Sequence, residues 1–364
     1  MYLDNFLDKA YSVIEEKHSF HEKVSKKLFP LKNEPSPNGA EALVVGVKKG
    51  KPDGLVSGVD SGFASKKLSF IDLVLVRTAG VVFYFKGGAL QKTEYFPSAF
   101  SFPEPLPLKL GLENDEQSQS VSFERLKQEI GLSIKIIEKF KPNFLFIDGS
   151  IVPQYQDKPR GDSKINEEYS SVVALFQHLY SVAEKNSCTL IACVEDSRGT
   201  RFRQILEEEV LPAQKNLSVK SLAGELKDSF DASLLDYFLV EGERTFAFHY
   251  TKNTESHAIL KDYNPAWSKN IFVFYLKASN FDKPIRVEFI SKGSVSELKK
   301  KADEISSLVF ALSSLHREYC FPSILIEADM RARLNEQDIS VVYDKLIDKL
   351  GPKVRMRRNA RPFK

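Results

Sequence analysis

The sequence predicts an α/β fold in which helices flank a mixed five-stranded sheet. Three strand-like runs, rich in β-branched and aromatic residues and separated by glycines, follow one another at 55–62, 68–80 and 81–90. A predicted helix at 121–140 then leads into the apolar strand 144–150. A second helix leads into another strand, and this alternation is typical of a sheet extended by parallel strands.

The order of the predicted elements matches one known fold. Three strands in a meander, followed by a helix and then a strand, a helix and a strand, is the element order of the RNase H-like fold. The further predicted elements are helix 2–28, linker 31–40, helix 166–185, strand 189–197, hairpin strands 271–279 and 284–290, and helices 294–318, 323–334 and 336–348. The expected regions are an N-terminal helical arm with linker at 1–50, a core domain at 51–350 with a mid-chain insertion around 200–270, and a basic tail at 351–364.

The composition is that of an ordinary globular protein. The chain has 364 residues, of which 42% are hydrophobic and 28% charged, and this is enough for a large domain with insertions or for two domains. No apolar run approaches the roughly 18 residues that a membrane span needs, and the N-terminus lacks the apolar segment of a signal peptide. Its three cysteines form no zinc or disulfide pattern. We therefore expect a cytoplasmic protein without membrane attachment.

Two aspartates occupy similar places in two predicted strands. Asp60 lies in the string GVDSG, whose glycines let another backbone or a phosphate approach closely. Asp148 ends the apolar strand FLFID, and ligands of open α/β sheets bind at the carboxyl ends of strands. A turn aspartate that caps the next segment would explain either residue alone. The pair on neighbouring strands favours a shared site.

A glutamate in the predicted helix 121–140 is tested by its helical phase of about 100° per residue. The apolar stripe of this helix consists of Phe123, Leu126, Ile130, Ile134 and Ile137. Glu129 falls beside this stripe and points toward the sheet, whereas Glu124 falls among polar residues. Because a buried carboxylate is costly unless it is paired, Glu129 either binds a metal or forms an ion pair with a buried basic residue.

A further aspartate lies on the core-facing side of a later helix. In the run 323–334, Asp329 shares a face with Leu325 and Ala332, whereas Glu327 falls on the opposite face. Asp329 is therefore a fourth candidate ligand, and the alternative is a surface ion pair with Arg333.

Carboxylates without histidines indicate a particular class of chemistry. Asp60, Glu129, Asp148 and Asp329 would supply the oxygen ligands that Mg²⁺ or Mn²⁺ prefers. Two such ions can activate a water and stabilise the leaving oxygen of a phosphodiester. This mechanism needs no Ser, Cys or His nucleophile, and the sequence offers no convincing one. We therefore expect a metal-dependent nuclease.

The chain resembles the NurA family of DNA-repair nucleases. The resemblance is carried by the order and spacing of GVDSG, of Glu129 followed nineteen residues later by Asp148 in FLFIDGS, and of DASLLDYFLVEG, ERTFAF, FYLK, PIRVEF and FPSILIEAD. It implies that Asp60, Glu129, Asp148 and Asp329 bind metal in an RNase H-like core. It also implies a homodimer that uses Mn²⁺ or Mg²⁺, with 5′→3′ exonuclease and endonuclease activity on single- and double-stranded DNA. The implied partner is a hexameric HerA-type translocase that acts in DNA end resection and double-strand-break repair.

Two departures from the family fall within the string FPSILIEAD. Some members carry a tyrosine and, eight positions later, a histidine, where this chain has Phe321 and Asp329. An aspartate can still bind a hard metal ion, but the phenolic hydroxyl is absent.

Several basic residues are candidates for binding DNA phosphates. The candidates for DNA contact are Arg198, Arg201, Arg203, Arg355, Arg357 and Arg358, together with Phe321. A solvated helix start and a solvated terminus are the alternatives for the two basic groups.

Two other functions stay open at this point. An actin/hexokinase-type ATPase shares the core fold, but it needs a later glycine-rich adenosine loop, which the sequence lacks. An inactive RNase H-like scaffold that docks a translocase predicts missing carboxylates, and all four are present.

Overall fold

The structure, a computed structural model, describes residues 2–68, 72–106 and 111–356, and side chains there except those of residues 2–4 and 352. The strands are β1 Val44–Gly46, β2 Gly54–Lys67, β3 Asp72–Lys86, β4 Ala89–Phe96, β5 Glu104–Pro105, β6 Phe144–Asp148, β7 Thr189–Val194, β8 Glu243–Thr245, β9 Phe248–His249, β10 Ile271–Lys277 and β11 Ile285–Ile290. The helices are α1 Tyr2–Leu28, α2 Asn114–Phe140, α3 Asn166–Lys185, α4 Arg201–Ile205, α5 Leu217–Lys220, α6 Leu222–Glu225, α7 Asp231–Phe238, α8 Pro265–Ser268, α9 Val295–Ser313, α10 Ser323–Ala332 and α11 Glu336–Leu350. Within these described ranges, no helix combines the length and apolar character needed to cross a membrane.

The chain divides into two compact units. Unit 1 consists of residues 1–50, 193–252 and 270–322, and unit 2 of residues 51–192, 253–269 and 323–364. This division places the hairpin and long helix of 270–322 in unit 1, whereas the sequence pattern groups them with the core domain.

Unit 2 contains the mixed five-stranded sheet that the sequence predicts. Its strands lie in the order β7-β6-β2-β3-β4. Strand β2 pairs antiparallel with β3 and parallel with β6, and β3 pairs antiparallel with β4. The short strand β5 adds to β3. The predicted fold class, an α/β core of RNase H-like type, is therefore confirmed.

Helices pack against both faces of the unit 2 sheet. A Cβ atom at Gly80 would lie 2.2 Å from Cδ1 of Ile136 in α2, and one at Gly58 would lie 2.8 Å from Cγ1 of Ile324 in α10. Gly58 pairs with Val81, the neighbour of Gly80. Because successive residues of a strand face opposite sides, α2 and α10 cover opposite faces of β2 and β3.

Two predicted element boundaries are wrong. The strands expected at 68–80 and 81–90 lie instead at Asp72–Lys86 (β3) and Ala89–Phe96 (β4). Gly80 lies inside β3 and does not form the turn between them. The turn is made by Gly87 and Gly88, which have positive φ angles of 59° and 88°. Helix α2 begins seven residues before the predicted 121, because Glu113 and Glu116 form a reciprocal capping box at its start.

Unit 1 is built on an antiparallel sheet in the order β1-β8-β10-β11, with β9 paired to β10. Its apolar core includes Phe202, Phe238, Phe246 and Tyr275. The predicted N-terminal helix is α1, which packs against α7 through its second half. There Val24 and Leu28 are buried, and the Ser25 hydroxyl donates a hydrogen bond of 2.6 Å to the Tyr237 carbonyl.

Candidate active site

The strand register of unit 2 brings two of the predicted carboxylates together. The parallel pairing of β2 and β6 runs from Val56 opposite Phe144 to Val59 opposite Ile147. The next residues along the two strands are Asp60 and Asp148. Asp60 is buried, with 7% of its surface exposed, and Asp148 is exposed where β6 ends. The two aspartates are therefore neighbours at the carboxyl end of a buried parallel pair.

The glycines beside Asp60 make room for a helix. Gly62 lies on the same face of β2 as Gly58, and a Cβ atom there would lie 2.4 Å from the Ala332 carbonyl oxygen of α10. Of the two reasons that the sequence offers for these glycines, the structure shows the approach of another backbone. This close packing brings α10, which carries Asp329, against β2, and the charge of Asp329 acts on Asp60.

Glu129 faces the sheet, as its helical phase predicts. It has 3% of its surface exposed, and its Oε2 accepts a hydrogen bond of 2.6 Å from the Ser61 hydroxyl. Glu124 instead forms an ion pair of 2.6 Å with Lys127 on a partly exposed side of the helix. The hydrogen-bond partner of Glu129 is thus a hydroxyl group and not a buried basic side chain.

Burial and like charges perturb the pKa values of these carboxyl groups. Burial, with the charges of Asp60 and Asp148, raises the pKa of Glu129 to about 8 against the lowering effects of the Ser61 hydrogen bond and Arg125. Burial also raises the pKa of Asp60, as does the Asp329 charge. The backbone N–H of Ser61 and the charges of Arg125 and Arg333 lower it. The carboxylates therefore form one electrostatic group.

A cavity of about 170 Å³ opens between the end of β6 and α2. Asp60, Glu129 and Asp148 line it, together with Arg125 and Asp157. Asp157 already accepts hydrogen bonds of 2.9 Å from the Ser122 hydroxyl and from the Gln154 N–H. It therefore holds the loop after β6 against α2.

Asp329 lies apart from the cavity lining. Its carboxylate forms an ion pair of 2.8 Å with Arg333 one helical turn later and remains 42% exposed. This pair is the alternative that the sequence offers for Asp329. Because its charge still acts on Asp60, Asp329 stays a candidate ligand at the margin of the site.

The donor set fits a hard cation, although its carboxylates line one cavity without forming a closed set of ligands. Within the part of the chain that the structure describes, no three Asp, Glu, His or Cys side chains form a ready-made metal-binding group. Like-charged carboxylates repel one another unless a cation or a proton lies between them. Burial removes solvent from the carboxyl groups of Glu129 and Asp60, and neighbouring carboxylates repel their negative charges. Both effects raise the pKa values of these two groups. Oxygen ligands of this kind suit Mg²⁺ or Mn²⁺.

The residues predicted to contact DNA differ from one another in their exposure and ion pairing. In unit 1, Arg203 pairs with Glu207 at 3.1 Å and Arg201 lies 3.7 Å from Glu209. Both side chains are 12% exposed, whereas Arg198 is exposed. Phe321 is buried, with 5% of its surface exposed.

The structure describes only part of the basic tail. Arg355 is exposed, and Arg357 and Arg358 lie outside the described residues. The role of all these residues in DNA binding stays a prediction.

The sequence interpretation missed two groups that contact or adjoin the site. Ser61 directly follows Asp60 and donates to Glu129. Arg125 lies one turn before Glu129, so the helical phase that selects Glu129 also selects Arg125. Strand alternation and helical phase therefore contained a signal for both.

Comparisons with known proteins agree with this architecture. A family model described as the NurA domain matches residues 54–334. The NurA nuclease from Sulfolobus solfataricus is 16% identical, with 96% of this chain and 97% of that chain covered at a TM-score of 0.56. This likeness shows that the two chains share a fold. A NurA crystal structure with bound dAMP and manganese is 11% identical, with 99% of each chain covered at a TM-score of 0.49. No curated protein matches the chain.

The family match decides between the functions that the sequence left open. It favours a nuclease over an ATPase or an inactive scaffold. Because the matched residues make up most of the chain, the protein belongs to the NurA family and is a nuclease.

Proposed function

We propose that the protein is a divalent-metal-dependent nuclease that hydrolyses DNA phosphodiesters. The observation that supports this proposal most is the meeting of Asp60, Glu129 and Asp148 around one cavity. Two of these carboxyl groups are almost fully buried, which is costly unless a cation or a proton compensates their charge.

Asp60, Glu129 and Asp148 would hold the metal, with Asp329 as a fourth ligand. Two bound Mn²⁺ or Mg²⁺ ions would lower the pKa of a water nucleophile and neutralise charge on the phosphate. The Ser61 hydroxyl fixes the orientation of the Glu129 carboxylate. Because the pKa of Glu129 is about 8, its side chain must give up a proton to act as a ligand, and metal affinity should rise with pH.

The finer activity is also part of the proposal. We assign 5′→3′ exonuclease and endonuclease activity on single- and double-stranded DNA, in end resection and double-strand-break repair with a HerA-type translocase, on the family resemblance. The buried positions of the three cysteines, none of which is in a disulfide, support a reducing, cytoplasmic location.

The exposed half of α1 supports a homodimer. Phe6, Leu7, Tyr11 and Ile14 are 65%, 55%, 67% and 66% exposed and follow helical spacing. An apolar stripe of this kind is usually covered by a partner. A second copy of the chain is the partner that the family resemblance suggests.

Single substitutions that keep side-chain size test the metal site. Asp60→Asn, Asp148→Asn and Glu129→Gln should each reduce the rate of DNA hydrolysis by at least about 100-fold in saturating Mn²⁺, because charge at the site carries most of the catalysis. The matched control is Glu124→Gln on the outer side of the same helix, which should stay close to wild type. Normal rates in Asp60→Asn and Asp148→Asn would overturn the proposal.

A further inference from the structure

One basic side chain lines the cavity of the proposed metal site without forming an ion pair with its carboxylates. Arg125 lies on α2 one turn before Glu129, and it lines the same cavity as Asp60, Glu129 and Asp148. Residues four apart lie on the same side of a helix. The guanidinium group is therefore directed into the cavity by the same helical phase that directs Glu129.

Arg125 is unusual among the arginines of unit 2. Arg331 and Arg333 each form an ion pair of 2.8 Å, and Arg77 reaches Asp338 at 3.4 Å. Across the described ranges, Arg125 makes no hydrogen bond or ion pair with any side chain or backbone group. Its five N–H donors are thus left for solvent or for a ligand in the cavity.

The charge of Arg125 nevertheless reaches the site. It lowers the pKa values of both Asp60 and Glu129, although other causes dominate those two pKa values. A guanidinium group this close to several carboxylates, but bonded to none of them, is placed to bind an anion that enters between them. A planar fork of N–H donors matches the oxygens of a phosphate group, which it can bind in a bidentate manner.

We propose that Arg125 binds the non-bridging oxygens of the scissile phosphodiester and stabilises the charge that builds up on them during hydrolysis. This inference rests on the proposed DNA nuclease function. The carboxylates cannot bind a phosphate directly, because their charges have the same sign. Arg125 supplies a fixed positive charge that belongs to the protein itself.

A merely structural counter-charge for Asp60 and Glu129 is the competing role for Arg125. The two roles differ in what happens to metal binding. Removing a positive charge next to cation ligands should leave Mn²⁺ affinity unchanged or raise it. A structural role instead predicts that the site distorts and that Mn²⁺ affinity falls.

The test compares Arg125→Ala and Arg125→Lys with Lys135→Ala, which removes an exposed charge from the same helix. In the full chain with Mn²⁺, Arg125→Ala should lower kcat for a single-stranded oligonucleotide by about 100-fold or more, as loss of one preorganised donor group does. Arg125→Lys should lie in between, because lysine keeps the charge but not the fork. Lys135→Ala should match the wild type.

Two further readouts separate a phosphate contact from a structural role. Guanidinium ion added at millimolar concentration should restore part of the Arg125→Ala activity and should not stimulate Lys135→Ala. Mn²⁺ titration by calorimetry without DNA should show no loss of affinity in Arg125→Ala. Arg125→Ala activity equal to that of Lys135→Ala, loss of Mn²⁺ binding, or absence of guanidinium rescue would each overturn the role of Arg125. An inactive wild-type protein would instead overturn the proposed function itself.

Discussion

Replacing Glu129 by glutamine should stabilise the metal-free protein at alkaline pH while it removes activity. Burial raises the pKa of this carboxyl group from its ordinary 4.5 to about 8. The folded state therefore holds the proton more tightly than the unfolded state, and stability is lost as pH rises from 4.5 toward 8. One pKa unit corresponds to about 1.4 kcal/mol. Between pH 5 and pH 8 the wild type should lose about 3 kcal/mol of its free energy of unfolding through this one group.

The assay is urea unfolding at pH 5 and pH 8 in EDTA, which keeps metal from neutralising the site. Glu129→Gln has no proton to lose at this position, so its stability should fall by about 3 kcal/mol less than that of the wild type over this pH range. Glu124→Gln is the control, because Glu124 is a partly exposed residue paired with Lys127, and its pH dependence should follow the wild type. Equal losses of stability in wild type and Glu129→Gln would refute the assignment of Glu129 as a buried carboxyl group under repulsion.

Three further predictions follow from the packing and the charges. Gly62→Ala should destabilise the protein by about 1–3 kcal/mol in thermal unfolding, because its Cβ would lie 2.4 Å from the Ala332 carbonyl oxygen. The control Gly131→Ala has open space around its Cβ and should be neutral or stabilising, and equal effects of the two substitutions would contradict the close packing of α10. Deletion of residues 2–16 should yield a monomer in light scattering, because it removes the exposed apolar stripe of α1, and a dimer that survives the deletion would exclude this interface. Truncation after Gly351 should flatten the dependence of log affinity on log salt by about two to four units for single-stranded DNA, if three to six phosphate contacts of about 0.7 each are lost; an unchanged slope would mean that the tail does not bind phosphates.

The positions of the carboxylates followed from patterns that burial imposes on sequence. Glu129 could be placed because the apolar stripe of α2 has a clear helical period, and a residue beside that stripe must face the core. Asp148 could be placed because an apolar run ends there. Neither pattern contains the register of β2 against β6, which is what makes Asp60 and Asp148 neighbours. That pairing depends on contacts between residues far apart in the chain.

The failures of the sequence interpretation have equally local causes. The sequence predicts a turn at Gly80, but this residue lies where Ile136 packs against the sheet, so its lack of a side chain serves packing. The sequence predicts too late a start for α2 because its capping residue is Glu113, a residue type that is uncommon at this position. The pairing of Arg203 with Glu207 one turn later could have been read from the spacing alone. Asp329 satisfied its helical phase, yet it pairs with Arg333, because phase cannot separate the edge of a core-facing stripe from the surface beside it.

The most direct test of the central claim is anomalous diffraction from crystals of the wild-type protein soaked in MnCl₂. Manganese scatters anomalously, so the map locates the ion without any assumption about activity. We expect an anomalous peak in the cavity at the end of β6, in contact with the carboxylate oxygens of Asp60 and Asp148 and within reach of Glu129. The same soak of Asp60→Asn crystals should leave this position weak or empty. Manganese bound only elsewhere on wild-type crystals, with none at these carboxylates, would contradict the account.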